Sequence, residues 1–403
     1  MLSVAEAQQI VLAHTRPLPP ALVPLTPAAL GLVLAEDVAS DLDMPPFDKA
    51  MMDGFAVRAA DVPEGRAVLT VVEEVLAGQT PRMAVGAGQC ARIMTGAAMP
   101  AGADAVVMVE QTRALEGDRV EVRDRPIQAG QNVLPRGREM RRGQTVLAAG
   151  AVLRPQEFGL LAAVGRTAAR VVPAPAVAVL STGDELVEPD RVPGPGQIRN
   201  SNGPMLAAQV CRAGAVPCFL GVAPDRLETL RSLVAEGLRS PVLVLSGGVS
   251  VGKRDLVPEV LANLGVRPHF HKVAMKPGKP VFFGSREANL VFGLPGNPVS
   301  ALVCFELFVR PALRRLRGHA EAAPPVVQAA LAEDFRYTAD RPTYHPARLE
   351  DGTHGWAVRP VPWFGSADLR ALAQANAFVV LPAGDHRHRA GERFPVLRVE
   401  DAG

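Results

Sequence analysis

Between residues 176 and 318, short apolar runs alternate with amphipathic segments, and this constrains the fold more than any other feature. The runs 176–180, 216–220 and 241–245 read as strands, and 204–213, 225–238 and 255–264 carry helical periodicity. Strands and helices in this rhythm form a parallel sheet with helices on both faces. The pieces 280–284 and 290–294 predict further strands. The stretch "VSALVCFELFVRPALRRL" predicts a helix with Asn297 as its N-cap and Pro298 in its first position.

The remaining sequence has other textures, punctuated by 37 glycines and 37 prolines. Residues 1–40 predict a first helix carrying Val4, Ile10 and Val11, and a second around 27–36. Short β-rich runs follow at 67–76, 104–110 and 119–123, with Glu116-Gly117-Asp118 as a hairpin signal. Residues 146–172 return to an apolar, partly helical pattern that can pair with the N-terminal stretch. Beyond the "AEAAPP" linker at 320–325 the chain is β-like again and holds Tyr337, Tyr344, Trp356 and Trp363. Those aromatics read as core and domain-interface residues in preference to a base-stacking platform. The expected fold class is therefore α/β plus β and multidomain. A linking domain spans 1–43 and 146–175, an inserted β domain 44–145, an α/β domain 176–320 and a C-terminal β domain 321–403.

A net charge of +2 with 21% charged residues gives no sign of a nucleic-acid groove or a disordered tail. The longest apolar runs, 171–180 and 241–246, fall far short of the ~20 residues that span a bilayer. The N-terminus lacks the basic start and cleavage site of a signal peptide. Cys90, Cys211, Cys218 and Cys304 form no CxxC pair and read as buried thiols of a reducing cytoplasm. A cytoplasmic protein without membrane or nucleic-acid partners is expected. Of 43 basic residues only five are Lys, and four of these fall between Lys253 and Lys279.

Ligands of open parallel sheets bind beyond the carboxyl ends of the strands. Three strands here run into loops of small and polar residues: Ser181-Thr182-Gly183-Asp184-Glu185, Ser246 to Gly252, and Pro295 to Ser300. Glycines let backbone N–H groups approach a ligand, and the helix N-termini that follow favour anions. An anionic, phosphorylated ligand is the expectation. Asp184, Glu185, Asp225 and Asp255 supply carboxylates suited to Mg²⁺, although helix capping also explains Asp225 and Asp255. Lys272, Lys276 and Lys279 bring ammonium groups for phosphate or a small oxyanion. His269 and His271 alternate along a strand, but no third metal ligand accompanies them. Gly247 to Lys253 fits the start of a phosphate-binding P-loop, yet Arg254 stands where that motif needs Ser or Thr. A nucleotide triphosphatase is thus a secondary reading.

The ordered segments "PPFDKAMMDGFAVRAAD", "RIMTGAAMPAGADAVVMVEQ", "GQNVLPRGRE", "STGDEL", "IRNSNGPML", "SGGVSVGKRD", "KPGKP" and "GLPGNPVSA" resemble the molybdopterin molybdenumtransferase family of bacterial MoeA proteins and the gephyrin E domain. The resemblance implies a three-layer α/β domain of molybdopterin-binding type. It implies insertion of molybdate into adenylylated molybdopterin with release of AMP, assisted by Mg²⁺. A homodimer is implied, with a molybdopterin adenylyltransferase and molybdoenzyme delivery proteins as partners. It places Asp53, Thr95, Glu185, Asp225, Asp255, Lys272 and Lys276 in catalysis, and Asp184, Glu185 and Asp255 at the metal. Substrate binding falls to Thr182, Gly183, Ser246, Gly247, Gly248, Ser250, Gly252, Lys279, Pro295, Gly296, Asn297, Ser300, Arg348 and Ser366. Two departures stand out: Lys253 replaces a common carboxylate, and Pro346 stands where the family often has Arg, leaving Arg348 or Arg341 to supply it. A gephyrin-type dimeric scaffold is the non-enzymatic alternative.

Overall fold

A strand without polar alternation must be covered on both faces, and β1 (Ala176–Thr182) is buried along nearly its whole length. The computed structural model describes residues 1–248, 256–352 and 355–399. After β1 come α1 (Asn202–Arg212), β2 (Val216–Ala223), α2 (Leu227–Gly237), β3 (Val242–Ser246) and α3 (Val257–Asn263). The series continues with β4 (Arg267–Phe270), β5 (Phe282–Arg286), β6 (Asn289–Leu294) and α4 (Pro298–Cys304). The strands form one sheet in the order β2-β1-β3-β6-β5-β4. The first four are parallel, and β5 and β4 extend the sheet antiparallel. Val177 and Val179 pack in one core with Leu206 and Val210 of α1. Ala178 and Leu180 pack in a second core with Leu230 and Val234 of α2. The period-2 pleat thus feeds two helical layers, each buried Val or Leu contributing about 1.5–3 kcal/mol.

α4 does not run on as a regular helix. It passes through a π-turn at Phe305–Val309 before the helix Arg310–Leu316. That turn carries Glu306, which is 1% exposed. Its carboxylate accepts from Arg310 Nη1 at 3.0 Å, from Gln209 Nε2 at 2.8 Å and from the Arg212 guanidinium. The N-terminal helix Val4–Ala13 begins with a capping box in which Ser3 and Glu6 bond reciprocally. Its Ala7 and Val11 join the same core as Phe305, Leu307 and Phe308.

The C-terminal strands Val326–Leu331, Gly355–Pro360, Thr343–Gly352, Ala377–Leu381 and Arg393–Arg398 close into a small barrel. Leu331, Leu349, Val358, Val379 and Val396 are among the side chains of its core. A separate ribbon pairs Phe335–Ala339 with Gly384–His388. Main-chain bonds stitch the barrel to the α/β part: Lys276 N–H donates to Pro342 O at 2.9 Å, and Tyr344 N–H to Lys276 O at 2.8 Å. All these elements belong to one compact unit, Met1–Val23, Ala29–Ala35 and Arg170–Gly403.

The other unit, Pro24–Ala28 and Glu36–Ala169, is built on a six-stranded sheet. Its strands run 105–108, 54–57, 89–93, 66–75, 119–123 and 112–115. The hairpin at Glu116-Gly117-Asp118 forms as expected, with Gly117 and Asp118 both at positive φ. Residues 145–147 pair with 38–39 inside this unit.

Two expectations fail. Residues 27–36 form a single 3-10 turn, Pro27–Ala29, followed by the strand Val33–Leu34. Gly31 at φ +77 ends the helical path, and Val33–Leu34 instead pairs with Val171–Val172. Cys211 and Cys218 are exposed, whereas Cys90 and Cys304 are buried. The reason for Cys218 is that β2 lies at the sheet edge, where one side of the strand is left to solvent.

Candidate functional site

Because β1, β3 and β6 are adjacent and parallel, Ser181 aligns with Ser246, and Ser246 with Leu294. Their loops therefore converge at one sheet edge. Gly247 N–H donates to Leu294 O at 3.1 Å, and Thr182 Oγ1 to Ser246 O at 3.5 Å. Asn202, at the start of α1, ties the second loop to the third: its Nδ2 donates to Ser246 Oγ at 2.8 Å and to Gly296 O at 2.7 Å. Asn200 Oδ1 accepts from Ser181 Oγ and Gly203 N–H, both at 3.0 Å. Sequence reasoning missed both asparagines, although "IRNSNGPML" held them.

These loops open onto a cavity of about 760 Å³ whose lining includes Thr182, Gly183, Glu185, Asp225, Gly247 and Gly248, together with Pro295, Gly296 and Asn297. Gly247 and Gly248 adopt φ +92 and +63, which lets the loop turn tightly past Thr182, while the Gly247 N–H stays bonded to Leu294 O. Asp184 Oδ1 accepts from the Asp225 N–H at 3.0 Å and so shapes the rim. Among the described residues no three His, Cys, Asp or Glu side chains stand close enough to hold a metal ion. One or two carboxylates fit instead a Mg²⁺ that keeps its waters and is bound together with substrate phosphates.

A second cavity, about 650 Å³, adjoins the first and shares Pro280, Pro295 and Asn297 with it. It gathers Lys276, Lys279, Ser300 and Ser366. Asn297 occupies the N-cap position of α4, but its side chain makes no capping bond. Its Nδ2 donates instead to Ser366 Oγ at 2.7 Å, and the Val299 N–H donates to Ser366 O at 3.0 Å. The expected side-chain cap is thus replaced by a tie to the 361–368 segment. Tyr337, Trp363 and Arg341 also line this chamber. The sequence singled out the aromatics only as core or interface residues, because nothing local marks which side of a β segment faces a cavity. Lys276 Nζ lies 5.2 Å from the Tyr337 ring centroid, a cation–π distance.

His345 packs edge-on against Tyr337 and Trp363, and burial pushes its pKa down to about 4. Its folded-state pKa lies below the ordinary 6.5, so the neutral ring contributes stability that is complete above pH 6.5. That contribution is lost as pH falls towards 4, and amounts to roughly 3 kcal/mol. Urea midpoints are expected to drop between pH 7 and pH 4.5, and to drop distinctly less in His345→Phe. Equal slopes in the two proteins contradict this.

Other predicted positions fall elsewhere. Lys272 is exposed and lines neither cavity. Arg348 lies on the outward side of the Thr343–Gly352 strand and pairs with Glu350 at 3.2 Å, both 59% exposed. Strand alternation turns Ala347 and Leu349 into the barrel core and Arg348 to solvent. His269 stacks on His14 and bonds Ser285 Oγ at 2.8 Å, while His271 packs on Phe282. In the other unit, Thr95 N–H and Oγ1 both donate to Asp53 Oδ1, at 2.6 and 2.7 Å. These bonds hold the Asp53 carboxyl below its usual range. Ser250, Gly252, Lys253 and Asp255 lie outside the described residues.

Residues 2–165 match the family "MoeA N-terminal region (domain I and II)", 178–315 the "Probable molybdopterin binding domain", and 328–399 the "MoeA C-terminal region (domain IV)". The chain is 35% identical to a molybdopterin molybdenumtransferase of Staphylococcus aureus strain Mu50, over 99% of its own length and 96% of the relative's. It is 39% identical to one from Nostoc sp. strain PCC 7120, over 92% and 87% of the two chains. The crystal structure of a molybdopterin biosynthesis MoeA protein from Pyrococcus horikosii is similar at 32% identity, covering 100% of both chains with a TM-score of 0.84. With three matches along its length and relatives of this similarity, the chain belongs to the MoeA family.

Proposed function

We propose that this protein is a transferase of molybdenum cofactor biosynthesis, inserting molybdate into adenylylated molybdopterin with release of AMP. The observation that carries this reading is the adjacency of two chambers: a glycine-loop cavity suited to phosphates, and a smaller one holding Lys276, Lys279, Ser300 and Ser366. In this reading the substrate phosphates lie against the 183–185 and 247–248 loops, where the Gly183 and Gly247 N–H groups are already bonded to Ala223 O and Leu294 O and the other N–H groups of these loops serve as donors. Lys276 and Lys279 neutralise the molybdate dianion, and Ser300 and Ser366 donate hydrogen bonds to its oxygens. The shared wall of Pro295 and Asn297 sets the oxyanion beside the dithiolene, so positioning supplies much of the rate. Glu185, with Asp184 or Asp255, would hold a Mg²⁺, which would supply screening of the phosphoanhydride charge. Asp53 and Thr95 belong to the same reaction.

The reading extends to a cytoplasmic homodimer that receives substrate from a molybdopterin adenylyltransferase and passes product to molybdoenzyme delivery proteins. It also keeps the division 1–43 with 146–175, 44–145, 176–320 and 321–403. Breaks between the family matches near residues 166–177 and 316–327 support the last two boundaries. A pure scaffold has no use for paired lysines and hydroxyls in a cavity. The test is AMP release from adenylylated molybdopterin on adding molybdate and Mg²⁺, expected in the native protein and lost in Glu185→Ala. Release no faster than in a molybdate-free control contradicts the assignment.

A further inference from the structure

We infer that Glu306, with Arg212 and Arg310, is a positioning residue that fixes the rotational phase of α4 and so the placement of Asn297 and Ser300. Those two side chains line the cavities, whereas none of the triad does. For its rate readout the assignment rests on the transferase reading.

Helices α1 and α4 start together at the ligand edge, where Asn202 Nδ2 donates to Gly296 O at 2.7 Å. They stay tied as they run on in the same direction. Gln209 Nε2 donates to Leu302 O at 3.4 Å and to Glu306 Oε1 at 2.8 Å, and the Arg212 guanidinium donates to the same Oε1. Past the end of α1, Arg317 Nη1 donates to Ala213 O at 3.0 Å and anchors the far end of the second rod.

The π-turn Phe305–Val309 lies between these ties, with the Arg310 N–H donating to Phe305 O, five residues back. Such a turn stores one extra residue in a helix. One residue of α-helix is worth about 100° of rotation and about 1.5 Å of rise. Losing the turn would therefore swing Asn297 and Ser300 by that amount against the anchored end. It would also break the bonds from Asn297 Nδ2 and the Val299 N–H to Ser366.

Two contacts hold the turn in its present form. Gln8 Nε2 donates to Leu307 O at 3.0 Å, occupying a carbonyl of the turn. Glu306, its side chain fully buried, accepts from Arg310 Nη1 at 3.0 Å along the helix and from Arg212 across to α1. The neighbouring Phe305, Leu307 and Phe308 are apolar core residues and offer no directional bond to select a phase. A buried ion triad adds little net stability, because desolvation offsets its Coulombic gain. What it supplies here is a single allowed arrangement of two helices.

The experiment replaces the triad with apolar side chains in the full-length variant Arg212→Met, Glu306→Leu, Arg310→Met. It reads thermal melting, AMP release, and hydrogen–deuterium exchange of residues 297–300 against the barrel strand Ala377–Leu381. The expected result is a melting temperature no lower than native, with exchange at 297–300 at least tenfold faster while the barrel strand is unchanged. The kcat/KM for AMP release is expected to fall at least tenfold. Native exchange at 297–300, or a rise shared equally by the barrel strand, overturns the inference. Faster local exchange with an undiminished rate of AMP release overturns it too. Should the triple variant not fold, Arg212→Met is decisive, since it leaves Glu306 paired with Arg310. Exchange at 297–300 at least threefold faster supports the inference there, and native exchange overturns it. Faster local exchange in a protein whose native form releases no AMP keeps the phase assignment and overturns the transferase reading.

Discussion

Lys276→Ala is expected to lower kcat/KM for molybdate by about 10²–10³-fold, the scale of removing one preorganised charge from an enclosed site. The residue lines the oxyanion chamber and is fixed at three points. Its N–H and C=O are both bonded to the barrel segment 342–344, and its ammonium lies over Tyr337. Little reorganisation is needed when a dianion arrives. Lys276→Arg keeps the charge but replaces a compact ammonium with a wide planar fork. A loss of about tenfold is expected there, because the wider group displaces Tyr337 or the anion. AMP release as a function of molybdate concentration reads both variants, with thermal melts to confirm folding. Full activity in Lys276→Arg would show that only net charge matters, and full activity in Lys276→Ala would remove the residue from the reaction.

Gly247→Ala carries the second large effect. The glycine has φ +92, and a Cβ there would lie 2.6 Å from the Thr182 carbonyl oxygen. The left-handed conformation costs roughly 1–2 kcal/mol for a non-glycine residue, and the backbone contact forces β3's loop away from β1's. A displacement of about 1 Å at a positioning loop is worth about 10²-fold in rate. AMP release is therefore expected to fall by about that factor, with a lowered melting temperature. Gly296→Ala serves as the stability control, since its Cβ would meet only Gly247 Cα at an ordinary 3.8 Å. Equal melting temperatures and rates in Gly247→Ala and the native protein would show that the loop absorbs the side chain.

The alternation of apolar runs and amphipathic segments was enough to predict the sheet, its parallel strands and the edge where the 181, 246 and 295 loops meet. The physical reason is local: side-chain period and glycine-rich turns report strand, helix and connection without knowledge of neighbours. The Glu116-Gly117-Asp118 hairpin was legible for the same reason. The lysine cluster divided only in three dimensions. Lys276 and Lys279 enter the chamber and Lys272 stays outside it, although all three lie in one eight-residue stretch. Spacing likewise left Arg341 and Arg348 equal candidates. The pleat of the Thr343–Gly352 strand and its bridge to Lys276 separated them, because burial on one face depends on what packs there. Asn297 shows the same limit: its place at a helix start was readable, but its bond to Ser366 joins residues 69 apart. Sequence alone determined the sheet, the loop chemistry and, through eight ordered motifs, the family. Which side chains share one cavity was decided only by the tertiary structure, since long-range packing and strand register bring together groups that no local pattern connects.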